Sequence, residues 1–238
     1  SRLSAFGWKG SVVEQAEPTG MLDAILLARD DVERAAPERV WITGCDQIAI
    51  RPESIERLKA LEEQRPEAEV LMPSAAGAEP YTHLERDASG RITRFLQRRE
   101  GDAMPAHGES DAGLFSLPRD VFLDALPAFA SRAQTGQGTS ERNFVPFIVG
   151  RDVQTFPVDV IEATGVNTPE DLALVEAHIK PLVSIVIPAY NEARFIGTLL
   201  ERIKAVDVEG LGFRRGNIVI DDWSKDAAAE IGAGIADL

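Results

Sequence analysis

Cysteine and long apolar runs are scarce in this 238-residue sequence. Cys45 is the only cysteine, so an intrachain disulfide is excluded, and we expect a cytoplasmic protein because disulfides belong to oxidising compartments. No apolar run approaches the ~20 residues that cross a bilayer, so the sequence predicts no membrane span. Residues 1–10 mix Arg, Trp, Lys and Gly without a hydrophobic stretch, which is not the pattern of a signal peptide.

Basic residues are also few. The sequence has 25 Lys and Arg against 39 Asp and Glu, which gives a net charge of −14. Nucleic-acid surfaces need basic clusters to replace phosphate counterions, so the charge argues against nucleic acid as a partner. A phosphate-bearing ligand must then be held locally, by a metal ion, a few Arg or Lys, or backbone amides. The adjacent Arg98 and Arg99 either serve that purpose or form a solvated face.

Short apolar runs and helical periodicities alternate along the chain. Runs of β-branched and apolar residues predict strands at Arg39–Thr43, Glu69–Met72 and Val183–Pro188. Apolar residues at helical spacing predict helices at Met21–Ala35 and Pro52–Gln64, the second with Pro at its first position. Strands that alternate with helices imply an α/β fold with a doubly wound, mostly parallel sheet.

The middle of the chain has a different pattern. Tyr81–Arg86 and Arg91–Gln97 flank a turn at Asp87–Gly90, which predicts an antiparallel β-hairpin laid against the sheet. The polar stretches Gly101–Glu109 and Thr135–Ser140 predict loops.

A domain boundary is expected near Lys180. Before it, Thr168 is the predicted N-cap of a helix with acidic residues in its first turn. After it, the third strand, a helix at Ile196–Val206 and a strand at Asn217–Ile220 predict one βαβ unit, incomplete as a domain. The predicted domains are residues 1–180 and 181–238.

Five segments between Val12 and Ile179 carry short motifs beside the predicted strands and helices. They are QAEPTGMLDA at Gln15–Ala24, TGCD at Thr43–Asp46, PYTHLERDASGRI at Pro80–Ile92, DAGLF at Asp111–Phe115 and GVNTP at Gly165–Pro169. In this order they resemble the motifs of sugar-phosphate nucleotidyltransferases, the N-acetylglucosamine-1-phosphate uridylyltransferase type in particular. The resemblance implies a Rossmann-like nucleotide-diphospho-sugar transferase fold, here with a β-hairpin insertion.

The resemblance also implies roles for single residues. They are, at the nucleotide base, Gln15, Thr19 and Gly20; at the substrate or nucleotide, Tyr81; on the sugar side, Asp111 and Gly113; and as Mg²⁺ ligands, Asp46 and Asn167. The implied reaction is attack by a sugar 1-phosphate on the α-phosphate of a nucleoside triphosphate, with release of pyrophosphate. Charge that builds on phosphate oxygens in its transition state is stabilised by a divalent cation with oxygen ligands. The family's Gly-rich phosphate loop is expected upstream of this sequence.

A second resemblance begins after the predicted boundary. Ser184–Glu192 reads SIVIPAYNE, and Ile218–Asp226 reads IVIDDWSKD. Both are similar to the opening segments of family 2 glycosyltransferases of the dolichol-phosphate mannosyltransferase kind, in which the paired acids, here Asp221 and Asp222, hold the nucleotide. Trp223 replaces the usual glycine. The two resemblances together imply a bifunctional protein that activates a sugar and then transfers it.

The residues alone allow other interpretations. Asp46 can cap the turn after its strand, Asn167 can cap the next helix, and Gly20 can be an ordinary turn glycine. Cys45, without a nearby His, is expected to be a small core residue rather than a nucleophile. A cytidylyl- or molybdopterin-type nucleotidyltransferase, a non-catalytic nucleotide-binding module and a glycosyltransferase fragment stay open as functions, as do the base, the sugar and the oligomeric state.

Overall fold

The computed structural model describes residues 10–179, 181–208, 210–211 and 213–235. The chain divides into two units between Asn167 and Thr168. The N-terminal unit contains α1 (Met21–Leu26), α2 (Arg29–Ala35), β1 (Arg39–Thr43), α3 (Pro52–Gln64), β2 (Val70–Ala78), β3 (Thr82–Arg86), β4 (Ile92–Gln97), β5 (His107–Asp111), β6 (Leu114–Pro118), α4 (Leu126–Ala130) and β7 (Val153–Pro157). The C-terminal unit contains α5 (Pro169–Ile179), β8 (Leu182–Ala189), α6 (Ile196–Lys204), β9 (Arg214–Asp221) and α7 (Ala228–Ile235). The predicted boundary residue Lys180 lies outside the described residues, and the identity of the two predicted domains stays a prediction.

A five-stranded sheet forms the centre of the N-terminal unit. β6 lies between β1 and β2 and is antiparallel to both, so β1 and β2 point the same way. β5 pairs antiparallel with β2, and β7 pairs parallel with it. The predicted α/β class is confirmed, but the expectation of a mostly parallel sheet is wrong. The reason is the return strand β6, which the sequence analysis missed and which separates the two strands that α3 connects.

β5 and β6 follow one another along β2 and are separated by a bulge. Ser74 pairs with Asp111 at the end of β5, and Leu71 pairs with Ser116 in β6. Three steps along β2 therefore correspond to five steps along the opposite chain. The extra residues end with Gly113, whose φ of +66° lies in the left-handed region that favours glycine. Bulges bend a strand and redirect its side chains, often beside functional sites.

Helices cover both faces of the sheet, as expected. Alternate residues of β2 point to opposite faces, because side chains alternate along a strand. Met72 packs into a core that includes Leu22 of α1 and Leu126 of α4. Leu71 packs on the other face against Leu58 of α3. The position of each residue along β2 therefore determines which helices its side chain contacts.

Several predicted elements are confirmed and two need correction. β1 and α3 have the predicted bounds, and Thr135–Ser140 is a loop. The single helix predicted at Met21–Ala35 is instead α1 and α2, because the amides of Leu27 and Ala28 bond to carbonyls three residues back and tighten the chain there. The loop predicted at Gly101–Glu109 ends early, since β5 begins at His107 and completes the edge of β2.

The predicted hairpin is confirmed as β3 and β4. It is fixed to β5 by the Ser110 hydroxyl, which donates to the Thr82 carbonyl oxygen at 2.6 Å. Arg86 donates two hydrogen bonds of 2.7 Å to the two carboxylate oxygens of Glu109. Bidentate pairs of this kind fix orientation as well as position. The hairpin is therefore held rigidly against the sheet edge.

The C-terminal unit contains the predicted βαβ unit. β8 and β9 pair in parallel along their whole lengths, with α6 between them in sequence. Ile187, Ile196 and Leu200 form the centre of a separate small core. Thr168 caps α5 as predicted: its hydroxyl accepts from the Asp171 amide, and the Asp171 carboxylate accepts from the Thr168 amide. Within the described ranges, every helix is too short or too polar to cross a bilayer.

Candidate functional site

Three segments that are distant in sequence meet at one edge of the five-stranded sheet. The turn Gly44–Gln47 follows β1, the bulge that ends at Gly113 precedes β6, and Gly165–Asn167 lies beyond β7. Because β1 and β6 pair antiparallel, the turn and the bulge are neighbours. The Val166 amide donates to the Asp46 carbonyl oxygen at 3.0 Å, which holds the third segment against the first.

Gly165 is the centre of this cluster. A Cβ atom at this position would lie 2.7 Å from Asp46 Oδ2, 3.3 Å from Gln47 Nε2 and 3.4 Å from Asn167 Nδ2. Three polar side chains therefore surround a point that only glycine leaves open. Asn167 Nδ2 also donates to the Gly165 carbonyl oxygen at 3.2 Å, so the nitrogen side of that carboxamide faces the glycine.

The donor set of this cluster fits magnesium better than zinc. Mg²⁺ takes one or two oxygen ligands from a protein and completes its octahedron with waters and phosphates. The half-buried Asp46 carboxylate and the exposed Asn167 carboxamide can supply those oxygens. Structural and catalytic zinc sites instead use three or four His, Cys or acidic ligands, and no group of three such side chains occurs within the described part of the chain.

Gln47 is the member of the cluster that the sequence analysis missed. Its side chain packs against Gly113, where a Cβ atom would lie 2.6 Å from Gln47 Cδ. Its Oε1 atom is buried and has no hydrogen-bond partner among the described residues. The only signal in the sequence is its position directly after Asp46, which does not show that the side chain turns inward.

Asp111 joins the bulge to the hairpin. One carboxylate oxygen accepts from the Thr82 hydroxyl at 3.0 Å, and the other accepts from the Gly113 amide at 3.0 Å. Burial raises the pKa of the Asp111 carboxyl, although both hydrogen bonds act to lower it. These contacts hold Asp111 beside Gly113, and the role of both residues on the sugar side stays a prediction. Tyr81, which precedes Thr82, is largely exposed.

The loop that carries Gln15, Thr19 and Gly20 is held by its own contacts. Gln15 Nε2 donates to the Thr19 hydroxyl at 3.1 Å and to the Gly20 carbonyl oxygen at 3.3 Å. Gly20 has a φ of +118°, and a Cβ atom there would lie 2.5 Å from the backbone nitrogen of Arg142. A close backbone contact therefore explains this glycine without a ligand. The role of the three residues in base recognition stays a prediction.

A cavity of about 380 Å³ opens between β4, the end of α4 and the loop 134–143. Its lining includes Phe95, Phe129, Pro146, Gln97, Arg132 and Asn143. Ligand pockets commonly combine apolar walls with a few polar groups and have volumes from about 300 Å³ upward. Gln97 pairs across the hairpin with Thr82, which bonds to Asp111, so one continuous set of residues connects this cavity to the Gly165 cluster.

Glu100 attaches the loop 134–143 to the hairpin. Its carboxylate accepts from the Thr139 hydroxyl at 2.7 Å, the Gly138 amide at 2.8 Å and the Asn143 carboxamide at 3.1 Å. These donors, with Thr139 foremost, lower the pKa of Glu100 to about 2. Arg99 donates to Asn143 Oδ1 at 2.5 Å. The carboxylate therefore stays ionised at neutral pH and fixes one wall of the cavity.

The arginine pair is engaged in contacts within the protein. Arg98 donates to the backbone carbonyl oxygens of Glu79 and Pro80. Arg99, besides its bond to Asn143, lies 3.5 Å from a carboxylate oxygen of Glu141. These contacts order the loops around the cavity.

Cys45 is exposed, so the expectation of a small core residue is wrong. The reason is that β1 ends at Thr43, and the turn that follows directs Cys45 to the surface while Asp46 and Gln47 turn inward.

In the C-terminal unit, two loops meet at the carboxyl ends of β8 and β9. The Asn191 amide donates to the Ser224 hydroxyl at 2.9 Å, and the Ser224 amide donates to the Asp221 carboxylate at 3.2 Å. Asp222 is exposed beside them. Trp223, at the position where the resemblance expects glycine, has a φ of +61° and a side chain that is almost fully exposed.

Comparison with models of known protein families finds no match, and comparison with curated proteins also finds none. Among solved structures, the chain is similar to CMP:2-keto-3-deoxy-manno-octonic acid synthetase complexed with CTP. The TM-score is 0.49 and the sequence identity is 18%, over 74% of this chain and 74% of that chain.

Proposed function

We propose that the N-terminal unit belongs to a nucleotidyltransferase that forms a nucleotide-sugar from a nucleoside triphosphate and a sugar 1-phosphate and releases pyrophosphate. One observation carries the proposal. Asp46, Gly113 and Gly165–Asn167 come from three of the motifs that resemble this class of enzyme, and they meet at one point although more than fifty residues separate each from the next. Their convergence supports the proposal because it brings the Asp46 carboxylate and the Asn167 carboxamide to one sheet edge.

A magnesium ion, held by Asp46 and Asn167, would stabilise negative charge on the phosphate groups. The protein itself has a net charge of −14, so an anionic substrate needs such local compensation. Gly113 and Gly165 leave room for the side chains of Gln47 and Asp46, which a larger residue at either position would displace. The role of the chain's own residues is thus to bind and orient phosphate groups at the sheet edge.

The acceptor sugar would occupy the side of the site that Asp111 and the hairpin form. The Asp111 carboxylate forms one hydrogen-bonded group with the Thr82 hydroxyl and the Gly113 amide. Sugar hydroxyls both donate and accept hydrogen bonds, so they suit a group of this kind. The adjoining cavity has apolar walls at Phe95 and Phe129 that suit the less polar face of a sugar ring or its substituent.

Isothermal titration tests this proposal. UTP, CTP, GTP, dTTP and ATP are titrated into the wild type, D46A and the control D30A, each with and without Mg²⁺. Asp30 lies on the exposed side of α2, so its replacement should leave binding unchanged. We expect one nucleotide to bind in the presence of Mg²⁺ and D46A to lose that binding. Absence of binding by all five nucleotides, or equal binding by D46A, would contradict the proposal.

Turnover distinguishes an enzyme from a binding module. The nucleotide that binds is incubated with sugar 1-phosphates, and pyrophosphate release is measured. Release that depends on both substrates and on Asp46 supports the transferase, whereas binding without release supports a non-catalytic module. A cytidylyl- or molybdopterin-type enzyme would release pyrophosphate with another acceptor class and with none of the sugar phosphates.

For the C-terminal unit we infer a second nucleotide site, of the glycosyltransferase kind. The supporting observation is that Asn191, Ser224 and Asp221 connect the loops at the carboxyl ends of two parallel strands, where α/β proteins bind ligands. The test uses D46A, in which the first site is disabled. UDP and GDP should still bind this variant in the presence of Mn²⁺, and D46A combined with D222A should lose that binding. Binding that survives in the double variant would contradict the inference.

A further inference from the structure

Hydrogen bonds among the described residues do not account for the buried end of the Gln47 side chain. The carboxamide lies between two glycines: a Cβ atom at Gly113 would come within 2.6 Å of Cδ, and one at Gly165 within 3.3 Å of Nε2. Larger residues at either position would displace this side chain. The fold thus makes room for the carboxamide, yet its Oε1 atom has no hydrogen-bond partner among the described residues.

An unpaired buried carbonyl oxygen is uncommon, because most buried polar groups in proteins have a partner. A side chain with only a packing role would be replaced by leucine or methionine without loss. The Gln47 carboxamide belongs to the same cluster as Asp46 Oδ2, since both lie within 3.3 Å of the position that a Cβ atom of Gly165 would fill. The missing partner is therefore expected to be something that enters the cluster.

We propose that Gln47 is a positioning residue for the divalent cation of Asp46 and Asn167, and that its Oε1 atom accepts a hydrogen bond from a water bound to that cation. The inference rests on the proposed function. Mg²⁺ keeps several of its waters when it binds to a protein, and each bound water is a strong donor. Neutral carboxamide oxygen is an acceptor that suits such a water without adding charge.

Groups that hydrogen-bond to the direct ligands of a metal fix the positions of those ligands, and loss of such a group typically lowers metal affinity about ten-fold or more. Gln47→Leu removes the acceptor and keeps a side chain of similar length, whereas Gln47→Glu keeps an acceptor at the same distance. A structural role and a cation-positioning role predict opposite results for the leucine variant. If Gln47 had only a packing role, Gln47→Leu would leave Mn²⁺ binding intact.

The experiment measures Mn²⁺ binding by water proton relaxation, which detects weak sites, in the wild type, Q47L, Q47E, D46A and Q64L. Gln64 is exposed at the end of α3 and is the matched control. Thermal unfolding is recorded for each variant in EDTA. We expect Q47L to bind Mn²⁺ about ten-fold more weakly while its unfolding temperature in EDTA is unchanged or raised. Q47E and Q64L should bind at least as well as the wild type.

Two results would overturn the inference in different ways. If D46A loses Mn²⁺ binding but Q47L keeps it, the cation site stands and the role of Gln47 is wrong. If the wild type binds Mn²⁺ no better than D46A, the cation site itself is wrong and the inference fails with it.

Discussion

The Gly113 position shows how one residue can decide the geometry of the site. Its φ of +66° disfavours any residue with a Cβ atom, and the Gln47 side chain fills the space where that atom would lie. Gly150 has a similar φ of +76°, but no atom of the described residues lies within 4 Å of the corresponding Cβ position. A comparison of substitutions at the two glycines therefore distinguishes the cost of backbone strain from the cost of steric conflict.

Gly113→Ala should destabilise the protein by at least about 2 kcal/mol, and Gly150→Ala by about 1 kcal/mol. In both variants, alanine has to adopt a left-handed backbone conformation that favours glycine, but only Gly113→Ala forces Gln47 to move. Urea denaturation measures the free energy of unfolding, and the same Mn²⁺ titration reports the cluster. Equal destabilisation by the two substitutions would show that the cluster tolerates movement of Gln47.

Asp111 and Asp87 should make opposite contributions to the pH dependence of folding stability. Burial raises the pKa of Asp111, so the ionised form is disfavoured in the folded state. The contribution of Asp111 to stability is therefore complete below its ordinary pKa of 3.8 and is lost as pH rises through the raised pKa. Asp87 accepts from the Ser89 hydroxyl at 2.6 Å and from backbone amides of the hairpin turn, and these bonds lower its pKa. Its contribution to stability is therefore complete above its ordinary pKa of 3.8 and is lost as pH falls through the lowered pKa.

Asp111→Asn should therefore raise the free energy of unfolding at neutral pH and have little effect below pH 3.8. The Asn oxygen still accepts from the Gly113 amide, so the bulge is kept. Asp87→Asn is the control of opposite sign and should lower stability at neutral pH. Denaturant unfolding at several pH values measures both. If D111N is less stable than the wild type at neutral pH, the hydrogen bonds to the ionised carboxylate outweigh the cost of burying it.

At the scale of elements, the loop 134–143 depends on one carboxylate of the hairpin. Hydrogen bonds from Thr139, Gly138 and Asn143 hold the pKa of Glu100 at about 2. A depressed pKa means that the contribution of Glu100 is complete above its ordinary value of 4.5 and is lost as pH falls toward about 2. The wall of the cavity should thus open in acid.

Glu100→Gln tests this attachment at neutral pH. A neutral acceptor makes weaker bonds than a carboxylate, so the amides of Gly138 and Thr139 should exchange with solvent roughly three- to ten-fold faster. In the wild type, the same protection should decline as pH falls below 4.5, whereas the variant should show no such decline. Glu141→Gln, on the same loop, is the control. If the control loses as much protection as the variant, Arg99 rather than Glu100 orders the loop.

The elements that the sequence predicts well are those whose signals are local. α3 begins at Pro52 and has apolar residues at helical spacing, and β1 is a short apolar run between polar residues. β6 was missed because Ser116 and Pro118 interrupt its apolar pattern. Ser116 is nevertheless fully buried, since Arg39 donates to its hydroxyl at 2.8 Å. That contact joins residues 77 positions apart, and no local pattern reveals it.

The candidate site divides in the same way. Motif order indicated Asp46, Asp111, Gly113 and Asn167, although only Asp46 and Asn167 lie beside a strand or helix that the sequence predicts. The inward turn of Gln47 and the cavity beside the hairpin depend on the bulge between β5 and β6, which in turn depends on a strand that was missed. Sheet direction was predicted wrongly for the same reason.

At the scale of the whole molecule, the two units have separate cores. Leu58 in the N-terminal unit and Leu200 in the C-terminal unit are both almost completely buried, and they belong to clusters that share no residue. A small parallel unit such as β8–α6–β9 buries little apolar surface, because Val186, Ile218 and Ile220 are all substantially exposed. We therefore expect it to be the less stable part of the chain.

Leu200→Ala should destabilise the C-terminal unit by about 2–5 kcal/mol, as expected for a buried leucine, and should leave Mn²⁺ binding at the Gly165 cluster unchanged. Leu58→Ala should destabilise the N-terminal unit by a similar amount and abolish that binding at a lower temperature than in the wild type. Calorimetry together with hydrogen exchange assigns each loss to its unit. If Leu200→Ala also weakens Mn²⁺ binding at temperatures where the N-terminal unit is folded, the two units are energetically coupled.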